Sequence, residues 1–279
     1  MRQRQRSPAP RAGDTGATLA GVPSECVTYS ADSDHCAVIT IDRPEARNAI
    51  SPEVAQGIED AIDAAEADDD VRVAVLTGTP PVFSAGADLK AIQAGRGDEL
   101  ATERGGFAGL VRRERTKPLI ASVEGAALAG GTEIVLACDL VVASREARFG
   151  LPEVKRGLVA AAGGLFRLGR RIPLNLALEC ALTGDPIDAE LGHNRGLVNQ
   201  LCQPGQALDT ALALARRITA NAPLAVRESR AIVLDCTWAD DDEAWRRTHE
   251  ARALVAASDD VREGVAAFLE KRAPVWTGR

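Results

Sequence analysis

The run Gly125-Ala126-Ala127-Leu128-Ala129-Gly130-Gly131-Thr132-Glu133-Ile134-Val135-Leu136-Ala137-Cys138-Asp139 constrains this chain more than any other stretch. An apolar segment, Pro118 to Val123, precedes it and reads as a short buried strand. Small residues then let backbones approach closely, and Gly130-Gly131 stands where a helix would start. From Thr132 the residues suit a buried helix ending near Cys138. The N-terminus of such a helix offers unpaired N–H groups and a partial positive charge, a combination that can hold an oxyanion. Glu133 falls in the first turn among apolar neighbours. A carboxylate there is either a partner of the helix dipole or a proton-transfer group, and the stretch alone leaves both open.

Composition removes whole classes of function. With 279 residues the chain is long enough for one or two domains and an ample core. Aromatic residues are few, so that core must be built from Ala, Val, Leu and Ile. A net charge of −7 argues against nucleic acid as a partner. No apolar run is long enough to span a membrane. Met1-Arg2-Gln3-Arg4-Gln5-Arg6 is basic, but no hydrophobic region follows it, so it does not read as a secretory signal. The six cysteines are scattered without a C-x-x-C pair, which suits reduced thiols in a cytoplasmic protein. The histidines lack metal-ligand spacing, and no metal site is expected.

Read in order, residues 1–24 are rich in Arg, Pro, Gly, Ser and Ala without periodicity and are expected to be a disordered tail. Val27 to Ser30 and Ala37 to Ile41 predict a hairpin around Asp32-Ser33-Asp34. Ser51 and Pro52 open a helix with an apolar stripe through Val54, Ile58, Ala61, Ile62 and Ala65. Val71 to Thr77 follows as a buried strand. The order strand, strand, helix, strand suggests stacked β-β-α turns. Ala91 to Arg115 is polar and weakly patterned, which marks a functional or mobile stretch, with a short helix expected at Leu110 to Glu114. Strands are expected at Leu140 to Ser144, at Ala147 to Phe149 and from Gly196 to Asn199. Helices are expected at Leu165 to Arg171, at Leu174 to Leu182 before Gly184, and from Asp188 to about Arg195. Beyond Gln206 the pattern is helical throughout. The division is therefore a tail over 1–24, a core over 25–205 and a helical subdomain over 206–279 suited to subunit contacts.

Two further stretches, Val82-Phe83-Ser84-Ala85-Gly86-Ala87-Asp88-Leu89-Lys90 and Arg148-Phe149-Gly150-Leu151-Pro152-Glu153-Val154, flank the opening run in sequence. Together the three resemble, in the same order and at compatible spacing, the enoyl-CoA hydratase/isomerase (crotonase) superfamily. The resemblance extends from about Val27 to the C-terminus. It implies an α/β fold, a crotonase-like β-β-α superhelix with a C-terminal helical subdomain, assembled as a trimer or dimer of trimers.

The resemblance also implies a chemistry. Backbone N–H groups at the positions matching Ala87 and Gly130 would hold a thioester carbonyl oxygen. Glu133 and Glu153 match the two acids of the family's hydratases, which add water across a 2-enoyl-CoA. Ala46, Arg47, Ala85, Gly86, Asp88 and Lys90 fall in segments that lie along coenzyme A. Phe268 and Lys271 match a segment reaching a neighbouring subunit's coenzyme. Neither metal nor redox cofactor is implied; coenzyme A belongs to the substrate.

The sequence departs from many hydratases at Ala160-Ala161-Ala162-Gly163-Gly164-Leu165-Phe166, which would line the far side of the acyl site. Gly105 to Leu110, Leu151 to Lys155 and the closing Pro274 to Arg279 look most like carnitinyl-CoA dehydratase. That activity, enoyl-CoA isomerisation and mere acyl-CoA binding remain alternatives to hydration at this point.

Overall fold

Val27–Ala31 (β1) and Cys36–Ile41 (β2) pair as an antiparallel hairpin in the computed structural model, which describes residues 25–279. The tail expected over 1–24 lies outside the described residues. The Asp32 carboxylate fixes the hairpin turn by accepting the N–H groups of Asp34 and Cys36. Helix α1 (Pro52–Ala67) starts at Ser51, whose hydroxyl accepts the Val54 N–H, with Pro52 in the first helical position. Its predicted apolar stripe faces the core. Strand β3 spans Val73–Gly78, a short helix α2 spans Leu89–Gln93, and the two-residue strands β4 (Ala101–Thr102) and β5 (Gly106–Phe107) pair with each other.

Next come β6 (Leu119–Val123), β7 (Ala126–Leu128), α3 (Gly130–Ala137), β8 (Leu140–Ser144) and β9 (Arg148–Gly150). A 3₁₀ turn, Pro152–Arg156, leads to α4 (Gly164–Arg171), α5 (Leu174–Thr183), β10 (Ile187–Asp188), α6 (Ala189–Asn194) and β11 (Gln200–Cys202). The chain closes with α7 (Ala207–Thr219), α8 (Pro223–Cys236), α9 (Asp241–Ala256) and α10 (Asp259–Glu270).

The large sheet has six strands in the order β1-β2-β3-β6-β8-β11, parallel except for β1. A smaller sheet runs β10-β9-β7. Successive turns of the superhelix therefore place one strand in each sheet: β6 then β7, β8 then β9. This is the β-β-α stacking that the sequence predicts. Side chains along the large sheet alternate between two cores. Ala74, Leu76, Leu119, Ala121, Val141 and Ala143 join the main core. Val73, Val75, Ile120 and Val142 face the other way, onto Ala207, Ala211 and Ala215 of α7. Those alanines recur every fourth residue and let α7 lie close to the sheet. Within the 206–279 segment, α7 is thus the second layer over the sheet, while α8, α9 and α10 project beyond it with few buried side chains.

Helix α3 starts at the expected Gly130-Gly131 pair, where Ala129 turns the chain at φ 53° and ψ −126°. Two local expectations need correction. Leu110 to Glu114 forms turns, not a helix. Buried Leu110 and Val111 are drawn inward, and the Glu59 carboxylate holds the preceding loop by accepting the Gly105 N–H at 3.0 Å. The strand expected from Gly196 begins only at Gln200; Leu197 N–H instead closes a turn onto Gly192 O.

Candidate active site

Ser84, Ala127 and Phe149 stand abreast on three parallel chains. Ala127 pairs with Phe149 through β7 and β9, and with Ser84 through an isolated bridge. A few residues further on, each chain delivers one part of the site: Ala87 from the first, Gly130 and Glu133 from the second, Glu153 from the third. Residues far apart in sequence are brought together by this register alone.

The first chain is held on its other side by Ile50, whose N–H donates to Gly86 O (2.8 Å) and whose carbonyl accepts Asp88 N–H (2.9 Å). Groups on an extended segment alternate in direction, so the Ala87 N–H points away from Ile50. Among the described residues neither Ala87 N–H nor Gly130 N–H donates a hydrogen bond, and both residues line one cleft. Gly86 makes the close approach possible. It sits at φ +88°, and a Cβ there would lie 2.8 Å from Gly130 N. Two free donors on adjacent segments, one at the N-terminus of α3, are the kind of pair that can take up negative charge on an oxygen.

Thr132 welds the second chain to the third. Its hydroxyl lies 2.7 Å from Ala127 O and 2.9 Å from Gly150 O, donating to one at a time, and accepts the Gly150 N–H at 2.9 Å. Guanidinium groups hold the far end of α3: Arg115 donates to Ala137 O and Arg171 to Cys138 O, where cations suit the helix dipole.

Glu133 is 4% exposed. Its Oε1 accepts Ala162 N–H at 2.8 Å and Gly164 N–H at 2.9 Å. Gly164 is the first residue of α4, so the carboxylate also faces a helix N-terminus. A side chain at Gly164 has no room, since its Cβ would lie 2.7 Å from Glu133 Cγ. Burial raises the Glu133 pKa above its ordinary value, and the two backbone donors and the Arg167 charge pull against that rise. Glu153 is raised too, first by burial and, against its own backbone N–H, further by the charge of Glu133. Its Oε2 is buried and has no hydrogen-bond partner among the described residues. Among the described residues it has no salt bridge, and the nearby Lys155 pairs instead with Asp185 at 2.6 Å.

Glu133, Glu153, Ala87 and Gly130 open into a cleft of about 1280 Å³. Ala46, Arg47, Ala85, Asp88 and Lys90 also line it, as the resemblance implies. Gly86 is buried behind the lining. The Asp88 carboxylate is already engaged: it caps α2 through Lys90 N–H and pairs with Arg43 at 3.1 Å. Burial alone would raise its pKa, but these partners hold it below the ordinary value. Phe268 and Lys271 do not reach the cleft of their own chain, and Phe268 is 84% exposed.

Ala161, Ala162, Gly163 and Phe166 line the cleft, as expected of that stretch, but sequence reasoning passed over Phe107, Ala129 and Arg167, which line it too. Phe107 sits against Gly130, where a Cβ would meet its ring at 2.6 Å. Its only signal was the glycine-rich run around it. For Arg167 the helical pattern of α4 gave no hint, since an arginine there reads as a solvated helix residue.

The sequence profile described as enoyl-CoA hydratase/isomerase matches residues 32–279. The chain belongs to the enoyl-CoA hydratase/isomerase family. It is 41% identical over 250 residues to enoyl-CoA hydratase EchA19 of Mycobacterium tuberculosis, covering 88% of this chain and 94% of that protein. It is 37% identical to the carnitinyl-CoA dehydratase of Salmonella typhi, covering 86% of this chain and 94% of that one. A crystal structure of an enoyl-CoA hydratase from M. tuberculosis H37Rv superposes with a TM-score of 0.87 at 48% identity, over 91% of this chain and 99% of that one. The fold of this family member is accordingly the crotonase fold, and no helix among the described residues is long and apolar enough to cross a membrane.

Proposed function

We propose that the chain is an enoyl-CoA hydratase, adding water reversibly across the double bond of a 2-enoyl-CoA. The carrying observation is the pairing of two buried glutamates with two free backbone donors in one cleft. The thioester carbonyl accepts hydrogen bonds from Ala87 N–H and Gly130 N–H. Water adds at Cβ, electrons move onto the thioester oxygen, and the resulting enolate is stabilised by those donors. A proton then joins Cα. The reading calls for no metal or redox group, since the N–H pair takes up the charge that develops and no electrons change hands.

The surroundings of the two acids divide their roles. Glu133, with two amide donors, a helix N-terminus and a nearby guanidinium, is the better anion and takes the proton from water. Glu153, with a bare Oε2 and a negative neighbour, is the better acid and delivers the proton to Cα. Keeping both acids favours hydration over isomerisation, which needs one. A trimethylammonium-bearing acyl group fits less well. The Phe166 ring is already covered by the Arg167 and Arg170 guanidiniums, each 5.1 Å from its centroid, so it offers no free cage for a cation.

The reading includes self-association as a trimer or dimer of trimers and a cytoplasmic setting. Exposed Leu174, Leu178 and Leu182 form a stripe along α5, and Trp238, Trp245, Phe268 and Leu269 stand out from α8–α10 and their connections. Cys36, Cys138, Cys180 and Cys202 are buried thiols, and burial pushes Cys36 and Cys138 up to about 12, which suits a reducing compartment. The test is incubation with a panel of enoyl-CoAs, including one bearing trimethylammonium, with loss of the conjugated-thioester absorbance followed and products identified. Formation of 3-hydroxyacyl-CoA supports the proposal; double-bond migration or binding without turnover rejects it.

A further inference from the structure

Glu133 and Arg167 share no hydrogen bond or ion pair among the described residues, yet both bond the Ala162 loop. Oε1 of Glu133 takes its hydrogen bonds from Ala162 and Gly164, which belong to the loop and first turn entering α4. That loop is small and carries little that could anchor it: Ala160-Ala161-Ala162-Gly163. Its anchor comes from one turn further along α4. The Arg167 guanidinium donates to Ala162 O at 3.2 Å and, across the cleft wall, to Val111 O at 2.5 Å. Ala162 is therefore clamped twice, by its N–H on Glu133 and by its carbonyl on Arg167. Two of its N–H donors, one on each terminal nitrogen, are committed to carbonyls that hold the loop.

We propose that Arg167 is a positioning residue for the general base: by tying the Ala162 loop to the Val111 turn, it holds two amide donors on Glu133 Oε1 and so aims the other oxygen at the water. This rests on the hydratase reading. The guanidinium also lowers the Glu133 pKa through its charge. The charges interacting with Glu133 are Arg167 and, from the 3₁₀ turn, Glu153; Arg112 and Arg156 line the same cleft, Arg115, Arg170 and Arg171 act on Arg167, and β7 carries no charge and α3 no second acid.

Arg167→Met removes bridge and charge; Arg167→Lys keeps the charge but cannot reproduce the planar fork between two carbonyls. With a short enoyl-CoA, Arg167→Met is expected to lower kcat about 10–100-fold, the scale of a small misplacement of a catalytic group, while KM changes less than about threefold. The acid limb of kcat/KM moves to higher pH, because a carboxyl without its cation holds its proton longer. Arg167→Lys should return the limb towards its original place and leave kcat low. Because it retains the charge, it carries the test if Arg167→Met does not fold. Wild-type kcat in either folded variant overturns the proposal, as does an unmoved acid limb in Arg167→Met. A readout free of turnover separates this from failure of the hydratase reading. The pH dependence of the melting-temperature difference between wild type and Glu133→Gln reports ionisation of Glu133. Arg167→Met should displace that dependence to higher pH even if no enoyl-CoA is hydrated, and an undisplaced curve counts against the proposal.

Discussion

At the scale of single residues, the site keeps two carboxyls where water would not. Both have pKa values raised above the ordinary value of 4.5. A carboxyl raised on folding binds more protons in the native state than in the unfolded one, so its burial favours the fold below the ordinary pKa. That contribution is lost as pH climbs through the raised value. The folded protein therefore bears an electrostatic penalty at neutral pH. Glu153→Gln should raise the melting temperature relative to wild type at pH 7.5, and by clearly more there than at pH 4.5. Equal differences at both pH values would show that Glu153 titrates as an ordinary carboxyl. Glu133 in the first turn of a buried helix was legible from the residues themselves, whereas its pairing with Glu153 and the two backbone donors came from the resemblance to the family. Arg167 and Phe107 were not legible, because an arginine on a short helix and a phenylalanine in a two-residue strand carry no pattern until tertiary contacts give them partners.

At the scale of elements, the site depends on the joint between α3 and β9. The Thr132 hydroxyl is the polar contact that binds the first turn of α3 to both β7 and β9. Thr132→Val preserves shape and removes the hydroxyl's hydrogen bonds to β7 and β9, leaving only the backbone ladder to hold the joint. The expected cost is about 1–3 kcal/mol of stability, seen as a lower melting temperature. Loosening the joint should also lower turnover by about tenfold or more, since Gly130 and Glu133 lie on one side of it and Glu153 on the other. A Thr132→Val protein with wild-type melting and turnover would remove the joint from the account. The helices with strong periodicity and caps, α1 and α5, were predictable to within a residue or so. The stretch from Ala91 to Arg115 was not. Its order comes from side chains elsewhere, such as the Glu59 carboxylate on Gly105 N–H, and no local periodicity records them.

At the scale of the whole molecule, the β-β-α repeat was legible because buried strands and one amphipathic helix recur in order. The role of α7 was harder to see: its small-residue face, Ala207, Ala211 and Ala215, reads in sequence like any helix and only in the fold becomes a layer over the sheet. The apolar side chains left outside on α5 and α8–α10 lead to a solution prediction. Light scattering at micromolar concentration should give the mass of a trimer or hexamer, and a monomer would contradict it. Deleting residues 1–24, whose composition offers little apolar surface to offset ordering, should leave activity and melting temperature nearly unchanged. A large loss of either would show that the segment contributes to the fold.

The central claim is that Glu133 and Glu153 act together on one water while backbone donors hold the thioester. The most direct measurement is the hydration rate of a short enoyl-CoA by Glu133→Gln, Glu153→Gln and the double variant, with thioester affinity measured alongside. Each single change should lower turnover by roughly 10²–10⁴-fold with affinity changed far less. The double change should cost much less than the product of the two, because a shared task is lost once. Near-normal hydration by either single variant, or losses that multiply in the double, would contradict the account.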